Sequence, residues 1–347
     1  MLIRGTNLSQ KSLVYPDDWG QGGRGCFAAG GYARYQGFDT GDTSGMTYVT
    51  ISTPSNSTNF GSLGVIRLWG CSGTSGRGRG LIAGGCTHTQ YSGNAQTIHL
   101  GIRYITIATL TNASSFGNLS VARHKNQATS NGTRALFWGG ASTWDGNFKD
   151  TITIDYVTIA TTNNATNFGN IGTTQQVSGY GTDATGDGTH GMMKLSTGSY
   201  ATDKYDYVTI DTPGNSSEFG GVGSVTGEGQ FGTSNGSRAF WGGGYNGGDE
   251  NHIDYLTWST LSNATQYGTL RVNSYDIRAV DDGSKTVIGG HNHTRMETFS
   301  LDLAAGSAVI SSLFGHLTGT NYEGGGSCSS QNSSSCKRER CATFAGD

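Results

Sequence analysis

The chain has 347 residues, 58 of them glycine and only 3 proline, with 14% charged and 34% apolar side chains. Glycine without a three-residue period excludes a collagen helix, and a net charge of −3 is too small for a chain kept disordered by self-repulsion. A pI near 6.2 gives no cationic field to hold a phosphate backbone, which argues against a nucleic-acid partner.

The chain opens on Met1-Leu-Ile-Arg-Gly-Thr-Asn, which lacks a cationic stretch feeding a long apolar run and a small-residue cleavage site. Synthesis in a cytoplasm without a signal peptide is therefore expected. No apolar run approaches the ~18 residues of a membrane span, so no membrane insertion is expected either.

From Cys26 onward a short apolar run closing on glycines recurs. Its glycines are Gly30 and Gly31, Gly84 and Gly85, Gly139 and Gly140, Gly242 and Gly243, and Gly289 and Gly290. Met192-Met-Lys-Leu195 fills the same slot without glycines, and Cys341-Ala-Thr-Phe-Ala-Gly346 makes a seventh run. Successive runs start 47 to 56 residues apart, the period of a four-stranded propeller blade.

Between these runs lies a second phrase, Tyr-Val-Thr-Ile or a close variant, followed by an aromatic-Gly pair. Its tyrosines are Tyr48, Tyr104, Tyr156, Tyr207 and Tyr255, and each precedes its aromatic (Phe60, Phe116, Phe168, Phe219, Tyr267) by twelve residues. A degenerate sixth copy runs from Phe299 to Phe314-Gly315. The repeat fills the chain, so the expectation is an all-β fold: a single β-propeller domain over 1–347, closed by segments 1–23 and 321–347. Seven apolar runs favour seven blades, and six Tyr-Val-Thr-Ile strands leave six as the alternative.

Within a unit, the strand through Leu136-Phe-Trp138 is apolar on both faces, as an inner blade strand between two neighbours would be. The Tyr-Val-Thr-Ile strand alternates and is expected in the middle of the sheet with one partly solvated face. Asn131-Gly132, Asn235-Gly236, Asp187-Gly188 and Asp282-Gly283 read as type I′ hairpin turns. Eleven Asn-x-Ser/Thr sequons, Asn56, Asn112, Asn164, Asn215 and Asn263 among them, read as turn chemistry in which Asn bonds its own backbone.

Chemistry is sparse. His291-Asn-His293 could share one strand face, but no third metal ligand stands at a suitable spacing, so no metal is assigned. Asp183, Asp187 and His190 lack the order of acids and the terminal Glu of a calcium loop. No nucleophile elbow or repeated pair of carboxylates appears, so the expectation is no enzyme, no catalytic residue and no cofactor. Cys26, Cys71, Cys86, Cys328, Cys336 and Cys341 lack zinc-ligand spacing; Cys26 and Cys341 hold equivalent places in the first and last runs. The connection after each apolar run varies most between units, and its aromatics, Tyr32, Tyr35, Tyr91, Trp144, Phe148, Tyr200 and Tyr245, are candidate contacts for sugar rings or a protein partner.

A double glycine after an apolar strand, then an aromatic about fifteen residues on, resembles the kelch repeat, although the kelch Trp is replaced by the aromatic-Gly pair. Segments Tyr104–Leu119 and Tyr156–Ile171 are similar to a repeat of large structural proteins of marine tailed phages, especially those of cyanobacteria. That resemblance implies a virion location and a role as tail fibre, tail-associated adhesin or capsid decoration protein. The partners it implies are host-surface polysaccharide or other virion proteins, in multiple copies per particle. A cellular kelch-type scaffold or lectin, and a propeller hydrolase acting on polysaccharide, are the alternatives.

Overall fold

The computed structural model describes residues 23–28, 44–65, 68–88, 96–143, 151–172, 184–195, 204–221, 223, 227, 229–290, 297–303, 309–317 and 326–329. All regular structure in these residues is β, arranged as six small sheets around a ring, antiparallel apart from a short parallel pairing of Val309–Ile310 with Thr265–Thr269, a β-propeller of six blades rather than seven. The blade count follows the six Tyr-Val-Thr-Ile strands. The seventh apolar run, with Cys341, lies outside the described residues.

The apolar runs form the second strand of each blade: Arg24–Ala28, Arg79–His88, Arg134–Trp138, His190–Leu195, Arg238–Gly242 and Lys285–Gly289. The innermost position expected for them is taken by shorter, more polar strands: Leu68–Gly76, Gln127–Ser130, Thr185–Gly186, Phe231–Ser234 and Arg278–Asp281 in blades two to six. In blade one that position is held by Gly326–Ser329, which pairs antiparallel with Arg24–Ala28. Among the described residues the strand beside the first apolar run thus comes from the C-terminal side of the chain; residues 1–22, expected to supply it, lie outside the described residues.

The Tyr-Val-Thr-Ile phrase forms the third strands, Gly45–Thr50, Gly101–Thr106, Thr153–Thr158, Lys204–Thr209, His252–Thr257 and Glu297–Asp302. Aromatic-Gly pairs lie on the fourth and outermost, Thr58–Ser62, Ser114–Asn118, Thr166–Asn170, Ser217–Gly221, Thr265–Thr269 and Ser312–His316. A β-bulge interrupts every third-to-fourth pairing at the aromatic: Ile154 pairs with Gly169 and Asp155 with Asn167, which leaves Phe168 as the extra residue. The freed ring turns inward and meets its tyrosine edge-to-face, with Tyr156 and Phe168 centroids 6.0 Å apart at 80°. The same contact recurs for Tyr48–Phe60, Tyr104–Phe116, Tyr207–Phe219 and Tyr255–Tyr267, so the spacing of twelve is a bulge-dependent ring contact.

The core is distributed between blades. Because side chains alternate along a strand, Ala135 and Phe137 face blade two, while Leu136 and Trp138 face blade four. The third strand packs on both sides, Val157 in the cluster with blade two and Ile154 in that with blade four, while half-buried Tyr156 and exposed Thr158 give one face the partial solvation its alternation suggested. Six apolar clusters join the six blades, and the last, Phe27, Val49 and Ile51 against Val280, Val287, Phe314 and Leu317, closes blade six on blade one.

A ring of polar bonds runs outside these clusters. Oδ1 of Asn112, Asn164, Asn215 and Asn263 accepts from the backbone N–H of Ser62, Asn118, Asn170 and Gly221 in the preceding blade, and Asn56 accepts from His316 across the closure, all at 2.9–3.1 Å. These sequon asparagines thus tie blades together and do not bond their own turns. The approach is close because the aromatic-Gly glycine has no side chain: a Cβ on Gly117 would stand 2.1 Å from the Asn163 carbonyl oxygen. Arg24, Arg79, Arg134 and Arg238 add a further tie, each guanidinium lying 4.4–4.8 Å over its blade's tyrosine ring. Arg24, Arg79 and Arg134 also donate to the carbonyls of Ile107, Ile159 and Ile210 in the next blade.

Candidate functional site

Antiparallel strands send alternate connections to opposite ends of a blade, so the ring has two unlike faces. One face carries the hairpins between first and second strands and the loops between third and fourth. Those loops have seven residues in five blades (51–57, 107–113, 159–165, 210–216 and 258–264) and nine in the sixth (303–311). The opposite face carries the connections between second and third strands, which range from seven residues (290–296) to sixteen (29–44). Uniform loops serve the ring, and the unequal ones are where recognition can differ from blade to blade.

On the uniform face the Asn-Gly and Asp-Gly turns are three-residue loops. Asn131 Oδ1 accepts from the N–H groups of Thr133 and Arg134 at 3.0 and 2.8 Å, and only Gly132 takes positive φ, whereas a type I′ turn needs both central residues there. The two-residue loop with both φ values positive is Arg77-Gly78 in blade two, at 50° and 77°. Asp187 caps its hairpin in the same way, accepting from Thr189 and His190 N–H while its other oxygen pairs with His190 Nδ1 at 3.1 Å. Its oxygens therefore serve a turn; Asp183 lies outside the described residues.

On the variable face, the connections between blades are anchored by buried polar groups. In the connection into blade three, Arg123 is fully buried and pairs with Asp155 Oδ2, while its Nη1 donates to the Thr153 carbonyl at 2.8 Å. Burial presses the guanidinium below its ordinary pKa, and Asp155 opposes that shift. Ser120 donates to the same carboxylate from its N–H and its hydroxyl, at 3.0 and 2.7 Å. Next to it, His124 exchanges backbone hydrogen bonds with Ala141, and Lys125 at φ 58° donates its N–H to the Gly70 carbonyl. Gly139 and Gly140, at φ 64° and 87°, turn the chain out of the second strand at this point, and a Cβ on Gly140 would stand 2.5 Å from the His124 oxygen. Gly84 and Gly85 repeat the conformation. In blade five the positive pair is Gly243 and Gly244, with Gly242 inside the strand; in blade six only Gly290 has positive φ. Gly30 and Gly31 lie outside the described residues.

Asp206 and Asp254 hold the position of Asp155 in blades four and five, and all three are fully buried. Asp206 has no arginine: Ser216 donates its hydroxyl at 2.6 Å, one carboxylate oxygen has no partner among the described residues, and burial raises its pKa despite the Ser216 bond. Asp254 lies beside Gly223, where a Cβ would meet its Oδ2 at 2.6 Å. These repeated acids escaped the sequence search because it sought carboxylates for chemistry, and Ile-Asp-Tyr in two of the third strands is their only mark.

Of the candidate contact aromatics, the structure describes Tyr245. Tyr32, Tyr35, Tyr91, Trp144, Phe148 and Tyr200 lie outside the described residues, as do His291 and His293. Tyr245 sits in the connection of blade five, 36% exposed, bridged to Asp249 at the base of a short hairpin whose turn is 246–248. Its ring lies 5.5 Å from that of Tyr275, which belongs to the connection into blade six. Ser274 N–H bonds to Glu250 and Gly244 N–H to Ser274, locking the two connections together. In the same blade, Glu250 Oε2 and His252 Nδ1 lie 3.4 Å apart, both partly exposed. Tyr275 was not singled out in the sequence because its partner comes from a different connection. Among the described residues no group of three His, Cys, Asp or Glu side chains is placed to hold a metal ion. In sequence comparisons the chain matches no family model and no curated protein.

Proposed function

We propose that the protein is a non-enzymatic virion structural or adhesion component, a tail fibre, tail-associated adhesin or capsid decoration protein, that binds through the variable face of the ring. The observation that carries the reading is the contrast between faces: seven-residue loops in five of six blades on one side, connections of seven to sixteen residues on the other. A host-surface glycan is the favoured partner over a neighbouring virion protein. Tyr245 and Tyr275 offer ring faces for sugar stacking. Asp155 is engaged by Arg123 and Ser120, which fits a structural use of this buried acid. The similarity of the repeat to phage structural proteins supplies the virion setting.

The test is binding of the purified protein to a panel of immobilised bacterial surface polysaccharides. The reading expects saturable binding to at least one of them, weakened tenfold or more by Tyr245→Ala or Tyr275→Ala and unchanged by substitutions in loop 159–165. Binding to none, or binding lost only through loop 159–165, would remove it.

A further inference from the structure

The ring closes on a pair of cysteines. Cys26 of blade one stands directly opposite Cys328 of the closing strand in antiparallel register. Facing residues in such a pair have Cα atoms about 4.5 or 5.5 Å apart. Both values fall within the roughly 4.4–6.8 Å that a disulfide spans. Cys26 is fully buried and packs with Ala28, Met46, Phe60 and Cys71 between blades one and two.

We propose that Cys26 and Cys328 form a disulfide latch that locks the closing strand onto the first blade. With oxidised glutathione as the oxidant, a thiolate of one cysteine attacks the glutathione disulfide and releases one glutathione thiolate. The second cysteine then displaces the other glutathione, forming the Cys26–Cys328 bond. Two protein thiols lose two protons and two electrons, and one glutathione disulfide becomes two glutathione thiols. Because Cys26 is buried, exchange proceeds through opening of the four-residue strand Gly326–Ser329. Cys86 is a poor competitor, since burial pushes its thiol up to about 12. The bond would join positions 26 and 328, enclosing most of the chain, where a cross-link constrains the unfolded state most. It would also hold in place the strand whose loss exposes a sheet edge.

The test incubates full-length protein with oxidised glutathione, with and without mild urea, blocks remaining thiols with N-ethylmaleimide, and maps the linked peptides by mass spectrometry. A Cys26–Cys328 peptide is expected, formed faster in urea. The oxidised form should melt about 5 °C above the reduced one. That difference should vanish in Cys328→Ser and in Cys26→Ala, and persist in Cys71→Ala. Absence of the linked peptide under both conditions, linkage of Cys26 to Cys71, or a melting difference that survives in Cys328→Ser would overturn the latch. Because Cys328→Ser keeps Cys26 in place in its cluster, the test does not depend on the Cys26 variant folding.

Discussion

Arg123 and Asp155 show what a buried charge costs and how it is held. Removing one member of a fully buried pair strands the other, at about 3–5 kcal/mol. Arg123→Met should therefore lower the unfolding free energy by that order, and Arg123→Met with Asp155→Leu should recover much of it, as read by urea denaturation. Asp206 behaves differently: it has no ion-pair partner among the described residues, and burial raises its pKa against the lowering by the Ser216 hydroxyl and Lys204. The folded state then binds a proton more tightly than the unfolded state, whose value lies near 3.8, so lowering the pH through the raised pKa adds stability and raising it removes stability. Melting temperature against pH for wild type minus Asp206→Asn should rise toward acid between neutrality and about pH 4. A flat difference curve would show that the carboxyl keeps its ordinary pKa. These acids were invisible as anchors in the sequence, since their partners stand far from them along the chain: Ser120 and Arg123 precede Asp155 by 35 and 32 residues, and Ser216 follows Asp206 by 10.

At the scale of the element, the aromatic-Gly bulge decides how closely blades approach. Gly117→Ala would place a methyl 2.1 Å from the Asn163 oxygen and should cost on the order of 1–3 kcal/mol. Gly101→Ala, where nothing lies within 4 Å and φ is not positive, should be neutral or stabilise by up to ~1 kcal/mol. Similar melting temperatures for both variants would mean that the blades do not meet at the bulge. Asn164→Ala should cost about 0.5–1.5 kcal/mol by orphaning the Asn118 N–H. Second and third strands were legible because apolar runs and the tyrosine phrase repeat in fixed order. The role of the sequon asparagines was not, because an Asn that bonds the next blade and an Asn that bonds its own turn look alike in sequence.

At the scale of the whole molecule, the period of 47 to 56 residues announced a propeller, but the blade count rested on which repeated phrase marks a blade. Apolar runs overcount, since a seventh lies in the C-terminal segment, while the tyrosine phrase occurs once in each sheet. The innermost strands carry little signal: Thr185–Gly186 has two residues, and Gln127-Ala-Thr-Ser130 has no apolar pattern. Only the closed ring of sheets reveals that Gly326–Ser329 supplies the missing inner strand of blade one. Hydrogen–deuterium exchange of the peptide containing Gly326–Ser329 tests this closure most directly. A closed six-bladed ring predicts that its backbone amides are protected for minutes or longer, in step with those of Gln127–Ser130. Complete exchange within seconds while Gln127–Ser130 stays protected would contradict it.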